Sequence, residues 1–360
     1  MIRIIKIAVW IGLLYSGQLF GQGYKYSNEF LSLGVGARAY GMGGAVVASV
    51  NDVTAGYWNP AGLTNIKDNI QLSFMHNEQF AGIAKHDYGA VGFKLNDKSA
   101  MAVSVIRYGI DDIPNTLNLF QNGQIDYSRI TNFSAIDYAF IGSYARTLNI
   151  TGLSVGGNVK IIRRVVGDFA NAWGFGFDVS GQYKKGPLMV GAVLRDATST
   201  FNAWKYTFSE QDKQILLSTG NALPSNNLEL TMPRLSAGGA YKFLWFGRRM
   251  SLQPEFNADF TFDGKRNTLV RSNFASIDSR VGVEAGYRDF VFLRLGVNQF
   301  QRIKEIDGAS KLSVVPSIGV GLKLKNFMVD YALADVGEAS GALPFSNIIS
   351  VKLNINRKVE

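Results

Sequence analysis

Fourteen short stretches in which apolar and polar residues alternate, joined by connections that run short and long in turn, constrain this chain more than any other feature. In 251–262, Leu252, Pro254, Phe256, Ala258, Phe260 and Phe262 share one parity, and Gln253, Glu255, Asn257, Asp259 and Thr261 share the other. Successive side chains of a strand point to opposite faces, so such a stretch has one greasy wall and one hydrated wall. Bulky apolar residues set regularly against charged ones over ten or more positions suit lipid outside and a polar lumen inside. The stretches fall at 69–76, 87–95, 99–108, 135–147, 151–165, 172–184, 187–196, 234–244, 250–262, 276–287, 290–299, 313–325, 327–333 and 346–355. Connections at 96–98, 148–150, 185–186, 245–249, 288–289 and 325–326 are tight. Those at 109–134, 197–233, 263–275, 300–312 and 334–345 are long, and 77–86 and 166–171 are of middling length. Short turns on the periplasmic side and long loops outside, with an even strand number, predict an all-β fold: a 14-stranded antiparallel transmembrane β-barrel.

The first residues read as an export signal. Arg3 and Lys6 precede an apolar run at 7–15 that is too short to span a bilayer, and small residues near 21–23 suit cleavage, which makes 1–22 a signal peptide. No later stretch reaches the roughly 18 apolar residues of a membrane helix. An exported chain of amphipathic strands belongs in the bacterial outer membrane. The absence of cysteine excludes disulfide frameworks, thiolate metal sites and lipoprotein anchoring. The formal charge of +9 is scattered and lacks an aromatic-basic platform, so no nucleic acid is expected as a partner; the basic excess suits outer-membrane lipid headgroups.

The lumen parity carries both signs of charge: Lys160, Arg164, Arg195, Arg280, Arg294, Lys323 and Lys352 with Asp137, Asp178, Glu255, Asp259, Glu284 and Asp330. Unpaired ions in a narrow interior are costly, so these are expected to pair across strands or with a plug. The mixture is neither a single-sign selectivity ring nor an apolar tunnel.

Residues 31–66 do not alternate. They are rich in small residues, with glycines at 34, 36, 41, 43 and 44 and Asn59-Pro60-Ala61-Gly62 late, which allows close backbone packing inside a barrel. Residues 34–39 fit GxGxxA superficially, but no strand precedes them and no βαβ unit follows, and the glycines at 41–44 lack a P-loop lysine. The run Gly36-Ala-Arg-Ala-Tyr-Gly-Met-Gly-Gly-Ala45, with Asn51-Asp52 and Tyr57-Trp58-Asn59-Pro60-Ala61-Gly62-Leu63, resembles the N-terminal hatch of FadL-like barrels. More narrowly it is similar to the PorV/PorQ family, as are Arg195–Phe201 with Trp204 and the run from Leu228 to Arg234. The resemblance implies a hatch at 23–66 folded into the lumen of a barrel formed by 67–360, with 197–233 as the main insertion. It implies a shuttle or accessory role in type IX secretion, with the translocon barrel or the C-terminal domains of secreted proteins as partners. The Asn-Pro-Ala-Gly turn is closer to the fatty-acid channel pattern, and a FadL-type transporter of small hydrophobic molecules stands as the alternative. The chain ends without the terminal aromatic typical of barrel assembly signals.

Within the hatch, Arg38, Asn51, Asp52, Asn59 and Pro60 are the candidate site residues. A buried arginine needs an acceptor, so Arg38 is expected to pair with Asp52 or a lumen carboxylate, as a latch rather than a ligand site. Catalysis is not expected. His76 and His86 are the only histidines and lack metal-ligand spacing, and Ser73 and His76 lie on opposite faces of one strand. No cofactor is implied. The insertion at 197–233 is read as a functional loop, with Phe201, Trp204, Tyr206 and Phe208 as aromatic anchors for a secreted client.

Overall fold

The computed structural model describes residues 27–121, 124–304, 310–334 and 346–356, so the signal-peptide reading of 1–22 lies outside the described residues. Fourteen antiparallel strands close into a single barrel. They are β1 (Ile70–Gln79), β2 (Ala84–Asn96), β3 (Ser99–Asn115), β4 (Thr131–Thr147), β5 (Leu153–Val166), β6 (Ala170–Lys185) and β7 (Leu188–Arg195). The circuit continues through β8 (Arg234–Tyr241), β9 (Met250–Thr261), β10 (Ser276–Tyr287), β11 (Val291–Lys304), β12 (Ser310–Leu324), β13 (Phe327–Ala334) and β14 (Ser346–Ile355). The first and last strands pair from Ile70 opposite Ile355 to Glu78 opposite Asn347, which leaves no open edge. Among the described residues no helix is long and apolar enough to cross a membrane; the chain crosses with strands.

The alternation does what it predicts. On β9, Gln253, Glu255, Asn257, Asp259 and Thr261 are buried in the lumen, whereas Phe256 is 52% exposed on the outer wall. Trp173, Val190, Leu293, Leu295, Ile318 and Val320 extend this apolar outer belt around the circumference. A closed barrel wrapped in such a belt is an outer-membrane architecture. The charged lumen residues pair: Lys160 with Asp178 (2.7 Å), Arg164 with Asp137 (2.8 Å), Arg280 with Asp259 (2.7 Å), and Arg294 with both Glu284 and Asp330 (2.7 Å each). Lys323 departs from the expectation. It lies near the end of β12, reaches Asp289 in the adjacent turn and is 37% exposed, so it belongs to the rim.

Three local features differ from the sequence reading. The connections placed at 77–86 and 166–171 are tight turns at 80–83 and 167–169, because the flanking strands run on beyond the membrane belt; positive φ at Phe80, Ala81 and Gly82 makes the first turn. The insertion at 197–233 is wall at both ends. Thr200–Tyr206 and Asn227–Thr231 pair with each other, and Thr200–Tyr206 also pairs with β6, so they extend β7 and β8 outward. Between β7 and its extension, Asp196 and Ser199 take positive φ and residues 196–199 bulge. The true connection is 207–226, with a short helix at Glu210–Ser218 capped by Ser209.

The third feature is a seam. The ladder between β10 and β11 runs only from Val281 opposite Val297 to Tyr287 opposite Val291. Beyond it Ser276–Arg280 has no partner on β11. A piece of the 262–275 connection folds into the gap instead: Val270 and Arg271 pair with Ile277 and Ser276, and the Leu269 N–H donates to the Phe300 carbonyl (3.1 Å). Leu269, Val270 and Phe274 are exposed on its outer side.

Candidate functional site: the hatch and the lumen cavity

Residues 29–65 fill the lumen through two short helices, α1 (Ala37–Gly41) and α2 (Ala55–Trp58), and 3-10 turns at Glu29–Ser32 and Pro60–Asn65. Small side chains let this backbone lie on the wall itself. A Cβ on Gly41 would sit 2.9 Å from the Gly319 Cα, and one on Gly296 would sit 2.1 Å from the Gly43 nitrogen. Gly43 also adopts φ +62, which a side chain would strain. Met42, Val46, Val50, Val53, Tyr57, Trp58 and Leu63 form the barrel's interior core. The barrel is plugged, not hollow.

Polar side chains of the wall satisfy the backbone of this irregular segment, as burial requires. Gln182 Nε2 donates to the carbonyls of Ala48 (2.9 Å) and Val50 (3.0 Å). Glu255 Oε1 accepts from the Ala48 N–H (2.8 Å), Gln71 Oε1 from Val53 (2.6 Å), and Ser350 Oγ from Ala37 (3.0 Å). Arg195 donates to the Tyr57 (3.0 Å) and Trp58 (3.3 Å) carbonyls and lies over the Tyr57 ring. These lumen side chains tie the irregular segment to the wall.

The hatch residues singled out from sequence have distinct places. Arg38 pairs with Glu284, a lumen carboxylate, through two hydrogen bonds of 2.8 and 3.2 Å, and not with Asp52. Glu284 in turn joins Arg294 and Asp330, so α1 is tied to β10, β11 and β13 by one ion network. Asp52 instead meets Lys352 of β14 and accepts from the Thr54 N–H (2.9 Å). Burial works against the Asp52 charge, yet Lys352, Thr54 and Arg38 hold its carboxyl down at about 2. Asn59 caps the last turn: its Oδ1 accepts from the Ala61 N–H (3.2 Å), and its Nδ2 donates to the Val47 (2.8 Å) and Gly181 (3.2 Å) carbonyls. Pro60 occupies the first position of that turn, where a missing N–H costs nothing. Asn51 is exposed and joins none of these latches.

The aromatic residues assigned to a client loop are distributed otherwise. Phe201 is on the outer wall, 41% exposed. Trp204 turns inward, donating Nε1 to Glu229 (2.6 Å) under the Arg164 guanidinium, and Tyr206 stacks beside it. Phe208 packs near Phe169 at the 167–169 turn. They do not form one exposed patch. His76 is on the outer face, bonded to Asp87 (2.6 Å), while His86 is buried in the lumen against the Tyr40 hydroxyl (3.3 Å); Ser73 is buried in the lumen.

Between the hatch and the wall of β8 to β13 lies a cavity of about 360 Å³. Leu33, Tyr40, Trp58, Val315 and Ala334 give it an apolar side, and Arg234, Asp259, Asp278, Arg280 and Asn298 a polar one. Asn267, Thr268 and Gln301 line it too, so it abuts the seam. Three of its buried polar atoms lack any hydrogen-bond partner: Asp278 Oδ1, Arg280 Nε and Asn298 Oδ1. Sequence reading missed Arg234, Asp278 and Asn298. The parity that put Arg280 and Glu284 inside also puts Asp278 there, but nothing in the sequence sets it apart.

No protein-family model and no curated protein sequence matches this chain. Solved structures do. The CymD monoaromatic hydrocarbon channel is 14% identical, covering 90% of this chain and 98% of its own, with a TM-score of 0.57. The Ralstonia pickettii toluene transporter TbuX is 14% identical, covering 90% and 99%, at 0.55. The Pseudomonas putida toluene transporter TodX is 13% identical, covering 89% and 98%, at 0.58. At these identities the likeness is one of fold alone. The expectation of a type IX secretion shuttle is overturned. The barrels that share this fold are hydrocarbon channels, and the residues expected to hold a secreted client are largely barrel wall.

Proposed function

We propose that this barrel is an outer-membrane transporter of small, largely apolar molecules. The carrying observation is the cavity of about 360 Å³ enclosed between hatch and wall at the place where the β10–β11 ladder is interrupted. Ligand sites of small molecules are concave, mostly preformed and of comparable volume. A solute arriving through the outer mouth meets this space first, because the hatch fills the lumen below it. The channels and transporters named above, which share the fold, carry small aromatic hydrocarbons by their own descriptions, which supports the same class of cargo here.

In this reading the solute leaves sideways through the seam, displacing the inserted segment 267–271, and the hatch stays seated. The chain contains no cysteine, so a staple is clean. Val270 and Ile277 are directly opposite each other, within disulfide reach. In the double variant Val270→Cys/Ile277→Cys, oxidation should slow the proteoliposome uptake of phenylalanine, whose phenyl body suits the cavity and whose charges keep it from crossing the bilayer unaided, at least tenfold, and reduction should restore it. Uptake that is equal in the oxidised and reduced states removes the seam route. Uptake no faster than in protein-free liposomes, in either state, removes the transporter reading itself.

A further inference from the structure

We propose that the lumen cavity selects small amphiphiles with a zwitterionic head, and that Arg234 and Asp278 are the two halves of its head-group site. The inference rests on the transport reading above and names the cargo more narrowly than a hydrocarbon. The argument begins from the charges around the cavity. Arg266 is engaged with Asp263 (2.6 Å) and Glu29 (3.2 Å), and Arg280 with Asp259 (2.7 Å). Two charges remain on the same space. Arg234 donates to the Ser32 hydroxyl (3.0 Å) and has no salt bridge among the described residues. Asp278 has none either, and its Oδ1 is buried without a hydrogen bond.

Asp278 is also directly opposite Asp259 across the β9–β10 ladder, a like-charge neighbour that makes a bare carboxylate costlier still. On β11, lining the same cavity, Asn298 spends its amide nitrogen on the Gly43 carbonyl (3.1 Å) and leaves its oxygen unpartnered. The site thus offers two empty acceptors to a donor such as an ammonium, and a guanidinium to an anion such as a carboxylate. Arg234 is opposite Thr261 and Asp278 opposite Asp259, so the two stand two strands and two residues apart on one wall, roughly 12 Å between backbones. Long side chains close that distance onto one head group. The leftover charges sum to zero. A cation alone would meet Arg234, an anion alone would meet Asp278, and a plain hydrocarbon would supply a hydrogen-bond partner to neither. The apolar body has its place opposite, against Leu33, Tyr40, Trp58, Val315 and Ala334.

One phenyl body with four heads tests this: phenylalanine, 2-phenylethylamine, 3-phenylpropanoate and ethylbenzene, each titrated into the detergent-solubilised full chain and each followed in proteoliposome uptake. Phenylalanine should bind at least tenfold tighter than the other three. Asp278→Asn should weaken phenylalanine and the amine tenfold or more and spare the propanoate; Arg234→Gln should weaken phenylalanine and the propanoate and spare the amine. Heat-modifiable gel mobility reports assembly. Should either variant fail to assemble, Asn298→Leu on the neighbouring strand must weaken phenylalanine and the amine severalfold. Ethylbenzene binding as tightly as phenylalanine would overturn the head-group site and leave the transporter standing. If none of the four binds or crosses, both readings fall together.

Discussion

Replacing Arg38 with alanine isolates what holds the hatch. The wild-type side chain makes two charge-assisted hydrogen bonds to Glu284, and both groups are nearly buried, at 14% and 12% side-chain exposure. Removing one partner of a buried pair usually costs about 3–5 kcal/mol, because the survivor is left uncompensated. Glu284 is not left alone, since Arg294 still donates to it at 2.7 Å. The loss therefore falls to the strength of the bonds removed, about 2–3 kcal/mol. Because α1 contacts the wall but is no part of the strand ladder, the whole loss should appear as local opening of the hatch. At about 1.4 kcal/mol per decade, amide exchange at residues 37–50 should accelerate about 30- to 140-fold. Exchange in the barrel strands should not change. Arg38→Lys should recover the charge but not the two-pronged geometry, and fall between. Unchanged exchange of the hatch amides in a folded Arg38→Ala barrel would refute the latch, and so would an equal loss of protection in hatch and strands.

Acid should act on the other latch. Asp52 has its carboxyl depressed to about 2 in the folded chain, below the ordinary value near 4, so the stability it contributes is present above pH 4 and is lost as the pH falls towards 2. The loss amounts to about 2 kcal/mol. A spin-label distance between hatch and wall should broaden over that window in the wild type and stay flat in Asp52→Asn; a flat wild-type response contradicts the assignment. The wall placement of the 200–206 extension is tested by spin labels at Phe201 and Trp204. Oxygen dissolved in lipid should relax the first and spare the second, and equal accessibility would return both to a loop.

The barrel was legible because lipid imposes a rule that acts on every second residue, and a rule repeated over fourteen strands survives local exceptions. The hatch was legible for the opposite reason: a run of small residues breaks the period where the backbone must lie against Gly296 and Gly319. The misreadings share one cause. Residues 200–206 alternate Phe201, Ala203 and Lys205 with Asn202, Trp204 and Tyr206, but Trp and Tyr on the inner parity hide the pattern until Glu229 and Arg164 are seen to receive them. The seam was invisible for a related reason. Val270 and Arg271 are too short to register as a strand, and their pairing with Ile277 and Ser276 is set by an absence, the point at which β11 turns away. Parity turns Glu284 into the lumen without saying that Arg38 of the hatch meets it; only the register of β10 against β11 brings Arg294 up behind them.

The choice between a moving plug and a moving wall follows from what each must break. Withdrawing the hatch would part Arg38 from Glu284 and Asp52 from Lys352, each worth about 2–3 kcal/mol. It would also uncover Met42, Tyr57 and Trp58, at about 1.5–3 kcal/mol for each large side chain. Lifting the segment at 267–271 breaks a two-residue ladder with β10, the Leu269 bond to Phe300, and a bond from the Asn267 amide to Gln301 (3.0 Å). Neutral bonds of this kind contribute about 0.5–1.5 kcal/mol each where water or a solute can replace them. The seam is therefore the weaker element by a wide margin. Loosening the hatch and locking the seam should consequently have opposite weight: Arg38→Ala should leave uptake within about twofold of wild type despite its effect on exchange, whereas the oxidised staple at Val270 and Ile277 should stop it. Uptake that rises in step with hatch exchange across the Arg38 variants would reverse this order and make the plug the gate.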